Sequence, residues 1–128
     1  MLRTMLLAKI HRAVVTAANV HYVGSITIDS TLLEATGIRP YERVQVVNVD
    51  NGERLETYVI AGEAGSGVIE LNGAAARAAA VGDRVIVMAY ALVEEPIPAE
   101  WSPVVLIMDE ANHISEVRRS EDPGAMCC

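Results

Sequence analysis

Short apolar runs separated by turn residues recur along the chain and give most of it the pattern of β-strands. Strand-like length and β-branched content are shared by five segments: SITI, ERVQVVNV, RLETYVIAG, GVIEL and VVLIMD. Two of them flank Asp50-Asn51-Gly52, whose residues accept positive φ and favour a hairpin turn. The run GDRVIVMAYALV is apolar almost throughout, as in strands buried on both faces. The N-terminal segment MLRTMLLAKIHRAVVTAANV begins apolar and then alternates, which predicts a further strand.

Two short segments predict helices instead. DSTLLEATGI can be capped by Asp29 or Ser30 and stopped by Gly37. AAARAAAV has high helix propensity, with Asn72 as its candidate cap and Gly82 as its stop. Together with six or seven short strands, these two helices predict a small, mainly β barrel.

Length and composition are consistent with a single domain. A chain of 128 residues holds one domain of ordinary size, and 52% of its residues are hydrophobic although none is phenylalanine. The core is therefore expected to consist of Val, Ile, Leu, Ala and Met side chains. The chain is mostly polar from residue 110 onward and ends in EDPGAMCC. We therefore assign the domain to residues 1–109 and a flexible C-terminal tail to residues 110–128.

Charge and cysteine content narrow the possible partners. The net charge of -7 argues against nucleic-acid binding, which needs a basic face. No apolar run is long enough to span a bilayer, and MLRTMLLAKIHR lacks the apolar length and cleavage site of a signal peptide. We therefore expect a cytoplasmic protein with no membrane partner. Cys127 and Cys128 are adjacent near the C-terminus, where they cannot staple the fold, and no histidine is spaced to form a metal site with them.

The segment HYVGSITID places Gly24-Ser25 inside what otherwise resembles a strand. One interpretation is a bulge, in which glycine takes an unusual backbone angle and the serine hydroxyl satisfies a backbone group. The other is chemical: the hydroxyl attacks the preceding carbonyl, the amide becomes an ester, and elimination cuts the chain and leaves a pyruvoyl group. These nine residues favour the bulge and do not exclude the cleavage.

Five segments, in this order and at these separations, are similar to those of the pyruvoyl-dependent aspartate 1-decarboxylases: MLRTMLLAKIHRAVVT, HYVGSITID, NVDNGERLETYVI, NGAAAR and VGDRVIVMAYA. The resemblance covers residues 1–92 and is poor in the tail. It implies a double-psi β-barrel that converts L-aspartate to β-alanine and CO2 for pantothenate and coenzyme A biosynthesis. It also implies self-cleavage into chains 1–24 and 25–128, a covalent pyruvoyl cofactor derived from Ser25, no metal, and a homotetramer.

The resemblance assigns roles to residues around the cleaved bond. Ser25 supplies the ketone that forms a Schiff base with the substrate amine, and Tyr58 is the proton donor after CO2 leaves. Arg54 binds a substrate carboxylate. Thr57 contacts the substrate and assists cleavage by donating to the oxyanion on Gly24. Without the resemblance, Arg54 would be a solvated arginine paired with neighbouring glutamates, and Tyr58 a strand tyrosine with a solvated hydroxyl.

Further pocket residues follow from the same resemblance. NGAAA matches the family's substrate-binding turn, with Asn72 in the pocket. Free N–H groups at the predicted helix start favour an anion, and they belong to Gly73, Ala74 and Ala75. The N-terminal part of the chain contributes three more positions: Lys9, which contacts the substrate, His11 and Tyr22.

The spacing within the ERLETY segment predicts where the site lies. On a regular strand Arg54 and Tyr58 share a face, whereas Thr57 points to the other face. All three reach one site only if the strand ends or bulges there, or if two subunits share the pocket, so we predict sites between subunits. Two alternatives remain open: an uncleaved β-barrel binding module, and a pyruvoyl decarboxylase of another short acidic amino acid. The sequence also leaves open whether a helper protein assists maturation.

Overall fold

The computed structural model describes residues 1–125, which form nine β-strands, one α-helix and one 3-10 helix. In chain order these are β1 (Leu2–Val14), β2 (Ala17–Asn19), β3 (Ser25–Asp29), α1 (Ser30–Thr36), β4 (Arg43–Asn48), β5 (Arg54–Gly62), β6 (Ile69–Asn72), the 3-10 helix (Gly73–Ala78), β7 (Arg84–Glu94), β8 (Val104–Met108) and β9 (Ile114–Arg118). The predicted mainly β class with two short helices is confirmed. No helix in this part of the chain has the length and apolar character needed to cross a membrane.

The strand count exceeds the six or seven predicted, because two strands lack an apolar run. One is β2, which has only three residues, and the other is the mostly polar β9. The sheet order is β2-β6-β3-β5-β4-β7-β1-β8-β9. Parallel pairs join β1 to β8, β2 to β6 and β3 to β5, and the remaining neighbours are antiparallel. These crossed connections are consistent with the double-psi β-barrel that the resemblance implies.

The core consists of the aliphatic side chains that the composition predicts. The largest fully buried residues are β-branched or leucine, with one methionine, and include Ile10, Ile26, Ile28, Leu32, Ile69, Leu71, Leu106 and Met108. Strand β7 alternates between buried and more exposed residues, so it is not buried on both faces as its apolar sequence predicts. Its outward side chains include Tyr90 and Leu92, which are exposed.

The helix α1 begins and ends where its sequence predicts. Asp29 is the N-cap and accepts a hydrogen bond from the backbone N–H of Thr31 at 2.8 Å, and Gly37 ends the helix at φ 78°. The same carboxylate accepts hydrogen bonds from the N–H groups of Gly65 and Gly67. Burial disfavours the charged form of Asp29, but these hydrogen bonds outweigh it and lower its pKa. Asp29 therefore ties the loop after β5 to the start of α1.

The alanine-rich segment folds differently from the α-helix predicted for it. It forms a 3-10 helix that ends before Gly82, and the Asn72 side chain makes no capping hydrogen bond. The prediction of Asn72 as a side-chain cap is therefore wrong. Asn72 is the last residue of β6 and is buried, and its amide faces β3, where it bonds to Ser25 and Thr27 instead.

The C-terminal region also differs from the prediction that the domain ends at residue 109. Strand β9 pairs antiparallel with β8, and Ile114 packs against the core. Glu121 then forms a salt bridge of 2.7 Å with Lys9 on β1. The polar sequence of β9 predicted a tail because this edge strand is held mainly by backbone hydrogen bonds. Such a strand needs no alternation of apolar residues in its sequence. The cysteines at 127 and 128 lie outside the described residues.

Candidate active site

Ser25 is the first residue of β3, and its side chain is completely buried. It lies opposite Asn72, the last residue of β6. The Ser25 hydroxyl donates to the carbonyl oxygen of Val23 at 3.0 Å and accepts from Nδ2 of Asn72 at 2.9 Å. The same nitrogen donates to Oγ1 of Thr27 at 3.0 Å. The hydroxyl is therefore held by neutral hydrogen bonds on two sides.

Gly24 precedes β3 and does not interrupt a strand. Strand β3 begins only at Ser25, and its ladders with β5 and β6 contain no register shift, so Gly24-Ser25 is not a bulge within a strand. The Ser25 hydroxyl does bond a backbone carbonyl, as that interpretation expects. Gly24 does not adopt a positive φ, and a Cβ added to it would meet no heavy atom within 4 Å. The folded backbone therefore does not require glycine at this position, in contrast to Gly73.

Gly73 brings a second stretch of backbone against Gly24. Its φ is +65°, and a Cβ there would lie 2.7 Å from Cα and 2.8 Å from N of Gly24, and 3.0 Å from the carbonyl oxygen of Tyr22. With distances this short, a side chain at position 73 would force the segment 22–24 to move away. Gly73 does permit a close backbone approach, as predicted, and the backbone that approaches is the segment 22–24.

The parallel pairing of β3 with β5 places the start of both strands at the same edge. The ladder begins with Ile26 opposite Val59. Continued back by one residue, the same register sets Ser25 beside Tyr58. Buried Ser25 is thus paired with Asn72 on the β6 side, and on the β5 side the extended register makes Tyr58 its neighbour.

A cleft of about 370 Å³ lies beside Gly24. The residues that line it come from the segment before β3, the start of β5 and the 3-10 helix: Gly24, Glu53, Arg54, Leu55, Glu56, Thr57, Ala74, Ala75 and Ala78. The β4–β5 ladder has no register shift between Arg54 and Tyr58, so β5 has no bulge there. Residues 53–57 all line the cleft, so side chains from both faces of the first part of β5 reach it, Arg54 and Thr57 among them.

Arg54 is exposed and lines this cleft. Glu56, one of the two glutamates that could neutralise it, instead pairs with Arg43 on β4. Within residues 1–125, Arg54 takes part in no salt bridge. Its positive charge therefore remains available to an anion in the cleft.

Tyr58 is half-buried and is not part of the cleft lining. Its ring stacks on that of Tyr41, with 6.4 Å between the ring centroids and 26° between the planes. Within one chain, Gly24, Arg54 and Thr57 therefore line one cleft. Tyr58 lies outside that cleft, on the strand next to that of Ser25.

Lys9 and His11 lie elsewhere in the fold. Both line a second cleft of about 280 Å³, together with Arg118 and Glu121 from the C-terminal region. Burial and the nearby charges of Lys9 and Arg12 lower the pKa of His11. The structure thus does not bring Lys9 or His11 to Ser25 within one chain. Tyr22 is exposed in the segment just before Gly24.

Sequence reasoning missed two residues near Ser25. Thr27 shares the Asn72 amide with Ser25, and its position two residues further along the strand, hence on the same face, is the signal that could have found it. Tyr41 stacks on Tyr58, and no periodic pattern links these two positions. Across residues 1–125, no group of three or more His, Cys, Asp or Glu side chains is arranged to hold a metal ion.

Comparisons with known proteins identify the family of this chain. The family model described as "Aspartate decarboxylase" matches residues 1–115, beyond the limit of the resemblance seen in the sequence. The aspartate 1-decarboxylase of Carboxydothermus hydrogenoformans is 57% identical, over 97% of this chain and 98% of that protein. Those of Trichormus variabilis and Listeria monocytogenes are 55% and 54% identical, over 95% and 94% of this chain and 96% and 95% of theirs. The chain belongs to the aspartate decarboxylase family.

Proposed function

We propose that this protein decarboxylates L-aspartate to β-alanine and CO2 in the cytoplasm, and that the β-alanine serves pantothenate biosynthesis. One observation carries the proposal: aspartate 1-decarboxylases are 54–57% identical to this chain over nearly its whole length. The cleft beside Gly24 supports it, because the cleft carries an unpaired arginine suited to an acidic substrate.

The catalytic group in this proposal is a pyruvoyl made from Ser25. Oγ of Ser25 attacks the carbonyl carbon of Gly24, and the peptide becomes an ester as its nitrogen leaves with a proton. Loss of the Ser25 Cα proton then expels the Gly24 carboxylate, which ends the chain 1–24. Water replaces the nitrogen of the resulting dehydroalanine, ammonia leaves, and residue 25 begins the second chain with a ketone.

The surroundings of Ser25 fit this conversion. The burial of Ser25 limits competition from water during the attack. The contact with Gly73 restricts Gly24, and Thr57 lines the same cleft as Gly24, where its hydroxyl would donate to the developing oxyanion. Oδ1 of Asn72 is buried and has no hydrogen-bond partner within residues 1–125, so an acceptor beside residue 25 remains for an amine or water.

The residues of the cleft would bind and orient the substrate. A pyruvoyl group supplies a ketone that takes up the substrate amine and accepts the electron pair left by departing CO2. The guanidinium of Arg54 is assigned to one carboxylate, which it can hold through two parallel hydrogen bonds. The other carboxylate is assigned to the backbone N–H groups at the start of the 3-10 helix, those of Gly73, Ala74 and Ala75.

Tyr58 is the proposed proton donor to the carbon that loses CO2. Its place beside residue 25 in the extended β3–β5 register supports this role. The phenol gives its proton to the carbon and regains one from solvent.

We further propose a homotetramer with sites between subunits. In one chain, Lys9 and His11 lie in a cleft separate from the one beside Gly24, so a neighbouring subunit would have to supply them. Tyr22 and Val23 are exposed next to the cleavage site, and a neighbouring subunit would cover these apolar side chains.

Mass spectrometry of the purified chain after incubation tests the proposal. We expect two fragments that meet between Gly24 and Ser25, the larger one resistant to N-terminal sequencing because it lacks an amine. CO2 release should then be far greater from L-aspartate than from L-glutamate. The incubation is repeated with a cell extract, which supplies any helper protein. A chain that stays intact under both conditions would overturn the proposal in favour of a binding module. Equal release from the two amino acids would overturn the substrate assignment.

A further inference from the structure

Tyr41 has a backbone conformation that aromatic residues rarely adopt. Its φ is 70°, in the left-handed region that glycine and asparagine accept readily. The local sequence explains the angle. Residues 39–42 form a turn closed by a hydrogen bond of 3.1 Å from the N–H of Glu42 to the carbonyl of Arg39, with Pro40 in its second position. A proline-containing turn with positive φ in its third position is of type II, and that position is Tyr41.

This turn is attached firmly to β5. The N–H of Tyr41 donates to the carbonyl oxygen of Val59 at 2.7 Å, and the N–H of Val59 donates to the carbonyl oxygen of Glu42 at 3.1 Å. The side chain of Glu42 also accepts from the N–H of Arg39 at 2.9 Å. The turn is therefore fixed at the residue that follows Tyr58, so the strained conformation persists.

The ring of Tyr41 contacts Tyr58 and contributes little to the core. The side chain is 81% exposed, so filling the core does not explain its presence. Its ring stacks on Tyr58 at a centroid distance of 6.4 Å, within the range of favourable aromatic pairs. Asparagine would suit the backbone better at this position, but it could not form this stack.

We propose that Tyr41 is a positioning residue for Tyr58. Its ring, fixed by the turn, restricts the rotamers of Tyr58 and keeps the phenol hydroxyl directed at the reacting carbon. The inference rests on the proton-donor role proposed for Tyr58. A donor held in one orientation transfers its proton faster than one that samples several.

Two matched variants test this role. Tyr41→Asn removes the ring and relieves the backbone strain, so the variant should fold and cleave normally. We expect its kcat to fall roughly three- to tenfold with KM within about twofold of the parent, since one stacking contact is lost. Tyr41→Phe keeps the ring and should retain the parental kcat. The solvent deuterium isotope effect on kcat should rise in Tyr41→Asn, because proton transfer becomes slower relative to the other steps.

A double-mutant cycle separates positioning from a general structural effect. In a Tyr58→Phe background there is no hydroxyl to orient, so Tyr41→Asn should cause no further loss of kcat. Additive losses, an unchanged kcat in Tyr41→Asn, or an equal loss in Tyr41→Phe would each overturn the inference. If Tyr58→Phe itself left turnover unchanged, the proton-donor role would fail, and the positioning role with it. If Tyr58→Phe were slow while Tyr41→Asn matched the parent, only the inference about Tyr41 would fail.

Discussion

The cleft beside Gly24 and the cleft beside Lys9 differ in the interactions that hold their walls in place. The lining of the cleft beside Gly24 includes charged side chains, but Gly24 itself is held next to neutral groups: the hydrogen-bonded Ser25 hydroxyl and the backbone of Gly73. In the cleft beside Lys9, the polar part of the lining consists of charged side chains and His11, and Glu121 from the same chain already pairs with Lys9. Backbone contacts and buried hydrogen bonds hold atoms in one place, whereas partly exposed charges can exchange partners. The first cleft therefore suits a reaction within the chain, and the second suits a contact that another molecule can replace.

Ser25→Ala should have the largest effect on the first cleft. Without the hydroxyl no ester can form, so we expect an intact chain and no measurable decarboxylation. The fold should persist, because alanine fits the buried position with the loss of two hydrogen bonds. Denaturing gels, CO2 release and circular dichroism would measure the three properties. The exposed Ser102, changed to alanine, is the control and should cleave like the parent, and cleavage of Ser25→Ala at the same bond would contradict the proposed chemistry.

Gly73→Ala should block or greatly slow cleavage. The added methyl would lie 2.7 Å from Cα of Gly24, so the segment 22–24 must move away. Gly82→Ala is the matched control, since Gly82 also has positive φ but a Cβ there meets nothing within 4 Å. Both variants carry backbone strain of about 1 kcal/mol. Only the difference between their cleavage rates reports on the contact with Gly24, and equal rates would show that the contact is unimportant.

Arg54→Ala should mainly weaken productive binding of aspartate. We expect kcat/KM to fall at least roughly tenfold, because a charged hydrogen-bonded partner of the substrate carboxylate is lost. Cleavage between Gly24 and Ser25 should continue. Steady-state kinetics would measure the loss, with the exposed Arg39→Ala as a control for net charge. A kcat/KM equal to that of the parent would remove Arg54 from the substrate site.

Glu121→Gln probes the second cleft and should have a smaller effect. The substitution removes the negative partner of Lys9. A substrate carboxylate in the site of a neighbouring subunit would then no longer compete with Glu121 for the Lys9 ammonium. We expect KM for aspartate to fall by about two- to threefold, in keeping with a partly exposed ion pair. Glu110→Gln, also exposed, is the control. If the two variants had the same KM, the pair between Lys9 and Glu121 would have no bearing on catalysis.

The smallest expected effect is the contribution of His11 to the pH dependence of the free energy of unfolding. Its pKa lies below 6.5 in the folded protein, first because of burial and then because of the cations Lys9 and Arg12. Between 6.5 and the lower folded value, the unfolded chain binds more protons, so the free energy of unfolding decreases as pH falls through that window. Urea denaturation from pH 7 to pH 5 should show this decrease in the free energy of unfolding. In the His11→Gln variant the decrease over the same pH range should be smaller. An NMR titration of His11 at or above 6.5 would contradict the assignment.

Periodicity and turn residues predicted much of the fold because they reflect local physics. The cap at Asp29, the stop at Gly37 and the apolar strands all follow from contacts within a few residues. Strand β9 could not be predicted, since its stability comes from pairing with β8 across the chain. Asn72 illustrates the same limit. Its local sequence indicates a helix cap, but its amide instead donates a hydrogen bond to Ser25, 47 residues away in the chain.

Family resemblance, rather than local pattern, indicated the residues of the candidate site. The nine residues around Gly24 favoured a bulge inside a strand, whereas in the structure the strand begins only after Gly24. The resemblance indicated Arg54 and Thr57, which the structure brings to one cleft with Gly24. The contact of Gly73 with Gly24 and the stack of Tyr41 on Tyr58 depend on distances between remote segments, which no single segment encodes.

The position of β1 determines what cleavage would do to the molecule as a whole. β1 lies between β7 and β8 and is hydrogen-bonded along both edges. After a cut at Gly24, the fragment 1–24 would carry this central strand and stay in place without any covalent link to the rest. Unfolding would then release a separate chain, so the refolding of even one subunit would become bimolecular and dependent on concentration, whereas one subunit of the uncleaved Ser25→Ala protein would refold from a single chain. The lifetime of the mature protein would be governed by its rate of unfolding.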